Sequence, residues 1–287
     1  MADSAGNPAV QGRRLRAALK QARRDAGLTQ DQAAGKLDWS LSKIVRIESG
    51  AVRVSTTDLK AMLDQYKVTD QKRVDELVEM GREARQRPWW SAYKEFASQR
   101  YLEFVEFEQA AESTLHVQPL FVPGTLQTRD YATAIIWRLV RDVTEERANG
   151  LLGFRMRRQK LLDSADPPTL SFVLDESVLY RQVGSTEVMQ GQIDRLIDLS
   201  VRPTIAIQIY PFSAGPSYGM QTPFVIHKFA DPDDLDVLYL EGPRGDTIVG
   251  DDAEEIARFQ RSFAELQQMS MSGPESLTFL KKLRNQL

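Results

Sequence analysis

Three hydrogen-bond donors fall on one face of a short segment that ends at Gly50. Ser42, Lys43 and Arg46 stay on the outer side of this segment when it is drawn as a helix. Apolar side chains recur at a spacing of three on the other side, at Leu41, Ile44 and Ile47. A hydroxyl, an ammonium and a guanidinium on one helix suit the reading of base edges in the major groove of DNA. The alternative is an ordinary solvated helix face.

The residues around this face predict two short helices joined by a tight turn, over residues 28–50. Thr29 suits the cap of the first helix, which ends near Leu37, and Asp38 and Trp39 make the turn. Ser40 suits the cap of the second helix, and Gly50 suits its left-handed end. This order is the plan of a DNA-binding helix-turn-helix.

The flanking segments complete a bundle of four or five helices by about residue 85. A basic helix precedes the motif over residues 11–26, and a helix with Leu59, Met62 and Leu63 as its inner stripe follows over residues 54–66. Residues 1–90 hold 17 Lys+Arg and 12 Asp+Glu, whereas the remainder holds 20 and 28. The basic first part suits contact with phosphates, and the acidic remainder is not expected to lie along DNA.

Residues 11–68 resemble the Cro/repressor (XRE) family of helix-turn-helix domains. Residues at that family's spacings are Leu28, Thr29, Gln30, Ile44, Ile47, Glu48 and Gly50. The resemblance implies double-stranded DNA as a partner, Gln30 on a phosphate, Leu41, Ser42 and Arg46 at base edges, and Lys43 near the backbone. Asp38 stands where the family usually has glycine. The candidate DNA-binding residues are Gln30, Ser40, Leu41, Ser42, Lys43, Arg46 and Arg53.

Length and composition indicate two domains and a reducing compartment. The 287 residues contain 42% hydrophobic side chains and no cysteine. The first residues lack the order of a signal peptide, and no apolar run approaches the roughly 20 residues of a membrane span. We expect a cytoplasmic protein with a disordered tail (1–10), a helix-turn-helix domain (11–85), a linker (86–98) and an α+β regulatory or dimerisation domain (99–287).

The second domain is expected to contain a mixed sheet. Helices are predicted over residues 99–117, from Thr125 or Thr128 to Ile136, and over 144–162, 186–199, 252–269 and 276–283. Strands are predicted over residues 169–174, 204–210, 224–229, 236–241 and 247–249. The first two strands should be parallel with a right-handed crossover, and the next two should form a hairpin around residues 231–234. Glu108 is expected at a solvated rim. The fold class is therefore an all-α helix-turn-helix bundle followed by an α+β domain.

A second group of residues could bind a ligand or a partner. Pro88 should stop the preceding helix, and Trp89 and Trp90 follow at once. They either plug the domain junction or form an aromatic wall of a pocket. The candidate surface consists of Trp89, Trp90, Tyr93, Val122, Pro123, Gly124 and Thr125.

The second domain also resembles a known family, over about residues 100–285. The matching segments are residues 120–132, 190–200, 202–212 and 222–229, in the family's order. That family is a domain of unknown function in actinobacterial regulators of the WhiJ type, and it has Leu where this chain has Thr125. The resemblance implies a transcription factor that often acts with a small partner protein encoded nearby, in a relation sometimes described as antitoxin-like.

Catalytic and metal motifs are suggested only weakly. Residues 215–219 match the spacing of a nucleophile elbow around Ser217, but a strand follows where a helix is required. His116 and His227 are the available bases, and neither has a supporting motif. The acidic residues at 231–234 and 251–255 fit a turn and a helix start. We therefore expect no enzyme, no metal and no cofactor.

The leading hypothesis is a homodimeric, sequence-specific transcriptional regulator whose second domain senses a ligand or small partner, dimerises, or both. One rival is an antitoxin-like protein-binding module whose DNA binding is autoregulatory. The other rival is an enzyme with a DNA-binding tether, which would need a convergent acid–base cluster in the second domain.

Overall fold

The chain divides after Ser91 into two compact units. The structure, a computed structural model, describes residues 8–230, 235–242, 245–250 and 252–287. The turn predicted at residues 231–234 lies outside this range, as do residues 1–7 of the predicted tail.

The N-terminal unit is the predicted all-α bundle. Its helices are α1 (Pro8–Asp25), α2 (Gln30–Leu37), α3 (Leu41–Ser49), α4 (Thr56–Gln65) and α5 (Gln71–Ala84). Every helix contributes to one core, in which Leu19, Ile44, Leu59 and Met62 are fully buried. Helix α1 begins inside the expected disordered tail, because Pro8 suits the first turn of a helix, where its missing N–H costs nothing.

The C-terminal unit combines seven helices with a mixed sheet across the described residues, as the predicted fold class requires. Its helices are α6 (Gln99–Ala110), α7 (Arg129–Leu139), α8 (Glu145–Arg158), α9 (Ser177–Tyr180), α10 (Thr186–Ser200), α11 (Ala253–Met269) and α12 (Gly273–Arg284). Its strands are β1 (Ser113–Gln118), β2 (Thr169–Asp175), β3 (Ile205–Tyr210), β4 (Phe224–Lys228), β5 (Val237–Leu240) and β6 (Thr247–Val249). A 3-10 helix spans Trp89–Tyr93, within the expected linker.

The six strands form one sheet in the order β3-β2-β1-β4-β5-β6. Strands β1, β2 and β3 are parallel, whereas β4, β5 and β6 continue the sheet in antiparallel pairs. The predicted parallel pair and the predicted hairpin are both confirmed. Helices α7, α10 and α12 share one core with β2 and β3, while α11 packs on the other face against β4 and β5.

The predicted helix over residues 99–117 is wrong in its second half. Helix α6 ends at Ala110, Ala111 takes an extended conformation, and the chain continues as β1 in the middle of the sheet. The apolar spacing of this segment also fits a helix, but pairing with β2 and β4 satisfies the backbone of β1 on both sides.

Glu108 is also not at a solvated rim. Its side chain is fully buried, and its two oxygens accept hydrogen bonds from the guanidinium of Arg158 on α8 at 2.5 and 2.6 Å. Because a buried carboxylate requires such a partner, this pair explains how α6 carries a charge into the interior.

Candidate nucleic-acid interface

Local capping fixes both ends of the α2–turn–α3 motif. The Thr29 hydroxyl accepts from the backbone N–H of Gln32, whose side chain accepts in turn from the N–H of Thr29. Asp38 ends α2 in the left-handed region at φ 54°, a conformation that Asp tolerates better than most residues. Ser40 then caps α3 by accepting from the N–H of Lys43 at 3.2 Å. The predicted turn and caps are confirmed.

Helix α3 buries one face and exposes the other. Ile44 and Ile47 are buried as predicted, whereas Ser42 and Arg46 are exposed. Leu41 does not belong to the buried stripe, since 44% of it is exposed. At about 100° per residue it falls at the edge of the arc centred between Ile44 and Ile47. Val45 is exposed as well, so this face of α3 combines hydrogen-bond donors with the two apolar side chains Leu41 and Val45.

Lys43 is held at the side of this face by two interactions. Its Nζ lies 2.8 Å from Oδ1 of Asp58 on α4 and 3.5 Å from the ring centroid of Trp39 in the turn. The ammonium is therefore fixed by an ion pair and a cation–π contact. Its predicted place near the DNA backbone stays a prediction.

A buried carboxylate connects α3 to the two helices before it. Glu48 is 1% exposed, and its oxygens accept from Nε and Nη2 of Arg23 at 2.8 and 3.0 Å. The amide Nε2 of Gln30 adds a third bond at 2.9 Å. Hydrogen bonding to Glu48 raises the pKa of Arg23, so this guanidinium remains charged. The sequence predicted that Arg23 lies on a basic helix but did not identify Glu48 as its partner. The contact of Gln30 with a phosphate stays a prediction.

The last predicted DNA-binding residue, Arg53, follows α3. It is exposed, and its Nη1 donates to the carbonyl of Arg85 at 3.3 Å. Arg85 in turn donates to the carbonyl of Val54 and to the hydroxyl of Thr56. These bonds tie the α3–α4 connection to the end of α5. The helical bundle therefore supports α3 in a fixed position. From there its exposed, donor-rich face can enter a groove of DNA.

The predicted ligand surface is divided between the units. Trp89 and Trp90 meet edge to face in the N-terminal unit, with ring centroids 5.7 Å apart. Tyr93 belongs to the C-terminal unit and lies 5.0 Å from Phe154 on α8. The loop of Val122, Pro123, Gly124 and Thr125 meets the same helix further along, beside Arg155 and Arg158.

The comparisons agree with this division. Residues 14–77 match a helix-turn-helix domain, and residues 101–282 match the domain of unknown function DUF5753. The chain belongs to the DUF5753 family. The helix-turn-helix match indicates DNA binding by the N-terminal unit. Comparison with the curated proteins and with the solved structures finds no match.

Other features of this DUF5753 protein bear on the weaker motifs. Ser217 is followed by a single-turn 3-10 helix (Tyr218–Met220) and then by β4, in place of the α-helix that an elbow requires. His116 and His227 are buried in β1 and β4. Asp252 caps α11 by accepting from the N–H of Glu255, as its predicted position at a helix start implies. Across the described residues, no helix has the length and apolar character needed to cross a membrane.

Proposed function

We propose that this protein is a sequence-specific transcriptional regulator of the Cro/repressor (XRE) type that reads double-stranded DNA with α3. The observation that carries the proposal is the exposed face of α3, where Ser42 and Arg46 supply donors beside the apolar Leu41 and Val45. A guanidinium suits guanine, and an aliphatic side chain suits a thymine methyl group. The network around Glu48 holds this face rigid, as accurate base reading requires.

We propose further that the C-terminal unit acts as a receptor and dimerisation domain, with no catalytic step. The likeness to WhiJ-type regulators supports a small partner protein encoded nearby. The antitoxin-like alternative makes binding of that partner the main activity. Gel shifts on the region upstream of the protein's own gene, with and without the neighbouring small protein, separate the two. The antitoxin-like alternative also shifts this DNA, because its DNA binding is autoregulatory. It is distinguished by a high-affinity complex with the small protein that forms with or without the DNA.

The central test of DNA reading is selection from random duplexes, followed by fluorescence anisotropy with the selected and a scrambled duplex. Arg46→Ala is expected to weaken specific binding by roughly 1–3 kcal/mol and to relax preference at one base pair. Arg82→Ala on α5 is the matched control, since this arginine is exposed and its ion pair within the described part of the chain is with Glu79 of the same helix. Failure to select any sequence, or an unchanged specificity ratio in Arg46→Ala, would contradict the proposal for α3.

A further inference from the structure

Arg155 and Arg158 lie one turn apart on helix α8. In the part of the chain that the structure describes, one of them has a carboxylate partner and the other does not. Arg158 is neutralised, since Glu108 takes two of its N–H groups and the hydroxyl of Tyr101 takes a third at 2.7 Å. This pair is buried and complete, as a stable internal ion pair requires. The charge of Arg158 is therefore balanced within the protein, without an added anion.

Arg155 has no such compensation. Among the described residues, its side chain makes one hydrogen bond, 2.7 Å from Nη1 to the neutral amide oxygen of Gln127. Within the described ranges no carboxylate lies at ion-pair distance from Arg155, and the nearby Glu241 accepts instead from the amide of Gln118. Burial lowers the pKa of Arg155. The side chain of Arg155 is half-buried, so its cation is partly removed from water and has one neutral acceptor, and an anion would compensate its charge.

The loop that faces Arg155 is held in place. Nε2 of Gln159 donates to the carbonyls of Gly124 and Gln127 at 2.8 Å each, and Nε2 of Gln127 donates to the carbonyl of Val122 at 2.7 Å. The amide oxygen of Gln127 is thus oriented by its own hydrogen bonds. A Cβ at Gly124 would lie 3.4 Å from Nη1 of Arg158 and 3.6 Å from Nε of Arg155, so both guanidinium groups lie beside this loop.

The next residue of the loop adds an unused polar group. Thr125 is 1% exposed, and its Oγ1 has no hydrogen-bond partner among the residues that the structure describes. A buried hydroxyl without a partner is destabilising, and folded proteins rarely retain one without a use. Thr125 directly follows Gly124, the loop residue that faces the guanidinium of Arg155.

We propose that this junction is an anion-binding site in which Arg155 and Thr125 hold the oxyanion of a small ligand, a carboxylate or a phosphate. The planar guanidinium presents parallel N–H groups that match two oxygens of either group. Gln127 positions Arg155 through its hydrogen bond to Nη1. The site would give the proposed receptor domain its ligand. Only the effect of that ligand on DNA binding depends on the proposed receptor function.

Calorimetric titration of the full chain with inorganic phosphate and with acetate, at constant ionic strength set by chloride, tests the site. We expect one of the two oxyanions to bind at a single site. Arg155→Gln should weaken that binding about tenfold or more, and Thr125→Val should weaken it by a smaller factor. Arg147→Gln, an exposed arginine at the start of α8, removes the same charge as a matched control and should leave binding unchanged.

Thermal unfolding without ligand distinguishes binding from a structural role. Arg155→Gln and Thr125→Val should keep or raise the midpoint, because the first removes a half-buried charge with one neutral acceptor and the second a buried hydroxyl without a partner among the described residues. Arg158→Gln should lower the midpoint, because it leaves Glu108 buried with a neutral partner. The proposal is overturned if neither oxyanion binds the wild type, if Arg155→Gln and Arg147→Gln bind equally, or if Arg155→Gln unfolds as early as Arg158→Gln.

Anisotropy with the selected duplex, with and without the bound oxyanion, then tests coupling to DNA. An affinity change that is lost in Arg155→Gln supports the receptor role. An equal affinity in both states rejects coupling and leaves the site itself intact, so the two proposals fail separately.

Discussion

Glu48 is the residue on which the geometry of the proposed reading helix depends. It lies near the end of α3, yet it accepts from Arg23 on α1 and from Gln30 at the start of α2. One carboxylate therefore joins all three helices. Because each oxygen is bonded and the side chain is buried, its loss leaves the guanidinium of Arg23 without its counterion.

Glu48→Gln is accordingly expected to lower the free energy of unfolding by about 1–3 kcal/mol, since a neutral amide replaces a charged acceptor. Urea unfolding measures the change. Glu76→Gln is the control, because its pair with Arg73 is exposed and should contribute below about 1 kcal/mol. Equal losses in the two variants would show that the network is no stronger than a surface ion pair.

Lys43 tests the other kind of contact, to phosphate rather than to a base. Lys43→Ala should weaken binding to selected and scrambled duplexes about equally and should lower the salt slope by about one. Anisotropy across a salt series measures both quantities. Lys72→Ala on α5, which removes the same charge from an exposed position, supplies the control. An unchanged slope in Lys43→Ala would mean that Asp58 and Trp39 keep the ammonium away from DNA.

The residues that sequence could predict are those governed by neighbours in the chain. Thr29, Ser40 and Gly50 cap their helices through bonds within a few residues. The buried pairs Arg23–Glu48 and Glu108–Arg158 span 25 and 50 residues. No local pattern encodes such partners, because only the packing of whole helices brings them together.

At the scale of elements, β1 shows where periodicity fails. Phe104, Phe107, Ala111 and Leu115 repeat at helical spacing across the boundary between α6 and β1. Thr114 and His116 on β1 are polar but buried. In the sequence, such residues suggest a solvent-exposed position, so they did not indicate a strand in the interior of a sheet. The parallel strands β2 and β3 were predictable, since β-branched and apolar residues dominate them.

His116 makes the middle of the sheet sensitive to acid. Its Nε2 lies 2.9 Å from the Thr114 hydroxyl, and its ring stacks on Phe172 of β2. Burial, followed by the charges of His227 and Arg158, holds the pKa of His116 well below its ordinary value of 6.5. The unfolded chain therefore binds a proton that the folded chain excludes, and stability is lost as pH falls below about 6.5.

We expect this group to lower the free energy of unfolding by about 1 kcal/mol between pH 6.5 and 5.5. His116→Gln should remove that part of the slope while leaving the contribution of carboxylates at lower pH. Urea unfolding at pH 7.5, 6.5 and 5.5 measures the difference. Identical slopes in wild type and variant would show that His116 is protonated in the folded protein or that β1 opens before it titrates.

At the scale of the whole molecule, the two parts of the chain carry net charges of opposite sign. The first 90 residues carry five more positive than negative charges, and the remainder carries eight more negative than positive. This partition was readable from the sequence, as were two domains. The chemistry around Arg155 was not, because it depends on which of several arginines on α8 finds a carboxylate.

The charge partition also bears on assembly. One recognition helix contacts too few base pairs to select a genomic site, so we expect a homodimer on two half-sites about 10 base pairs apart. Two basic N-terminal units repel each other, and the C-terminal unit is therefore the expected dimer contact. Sedimentation of the full chain over a concentration series, with footprinting on the selected DNA, measures both features. A dimer that strengthens with added salt would place the repelling units at the contact. A monomer at tens of micromolar that protects one half-site would instead leave dimerisation to DNA or to a partner.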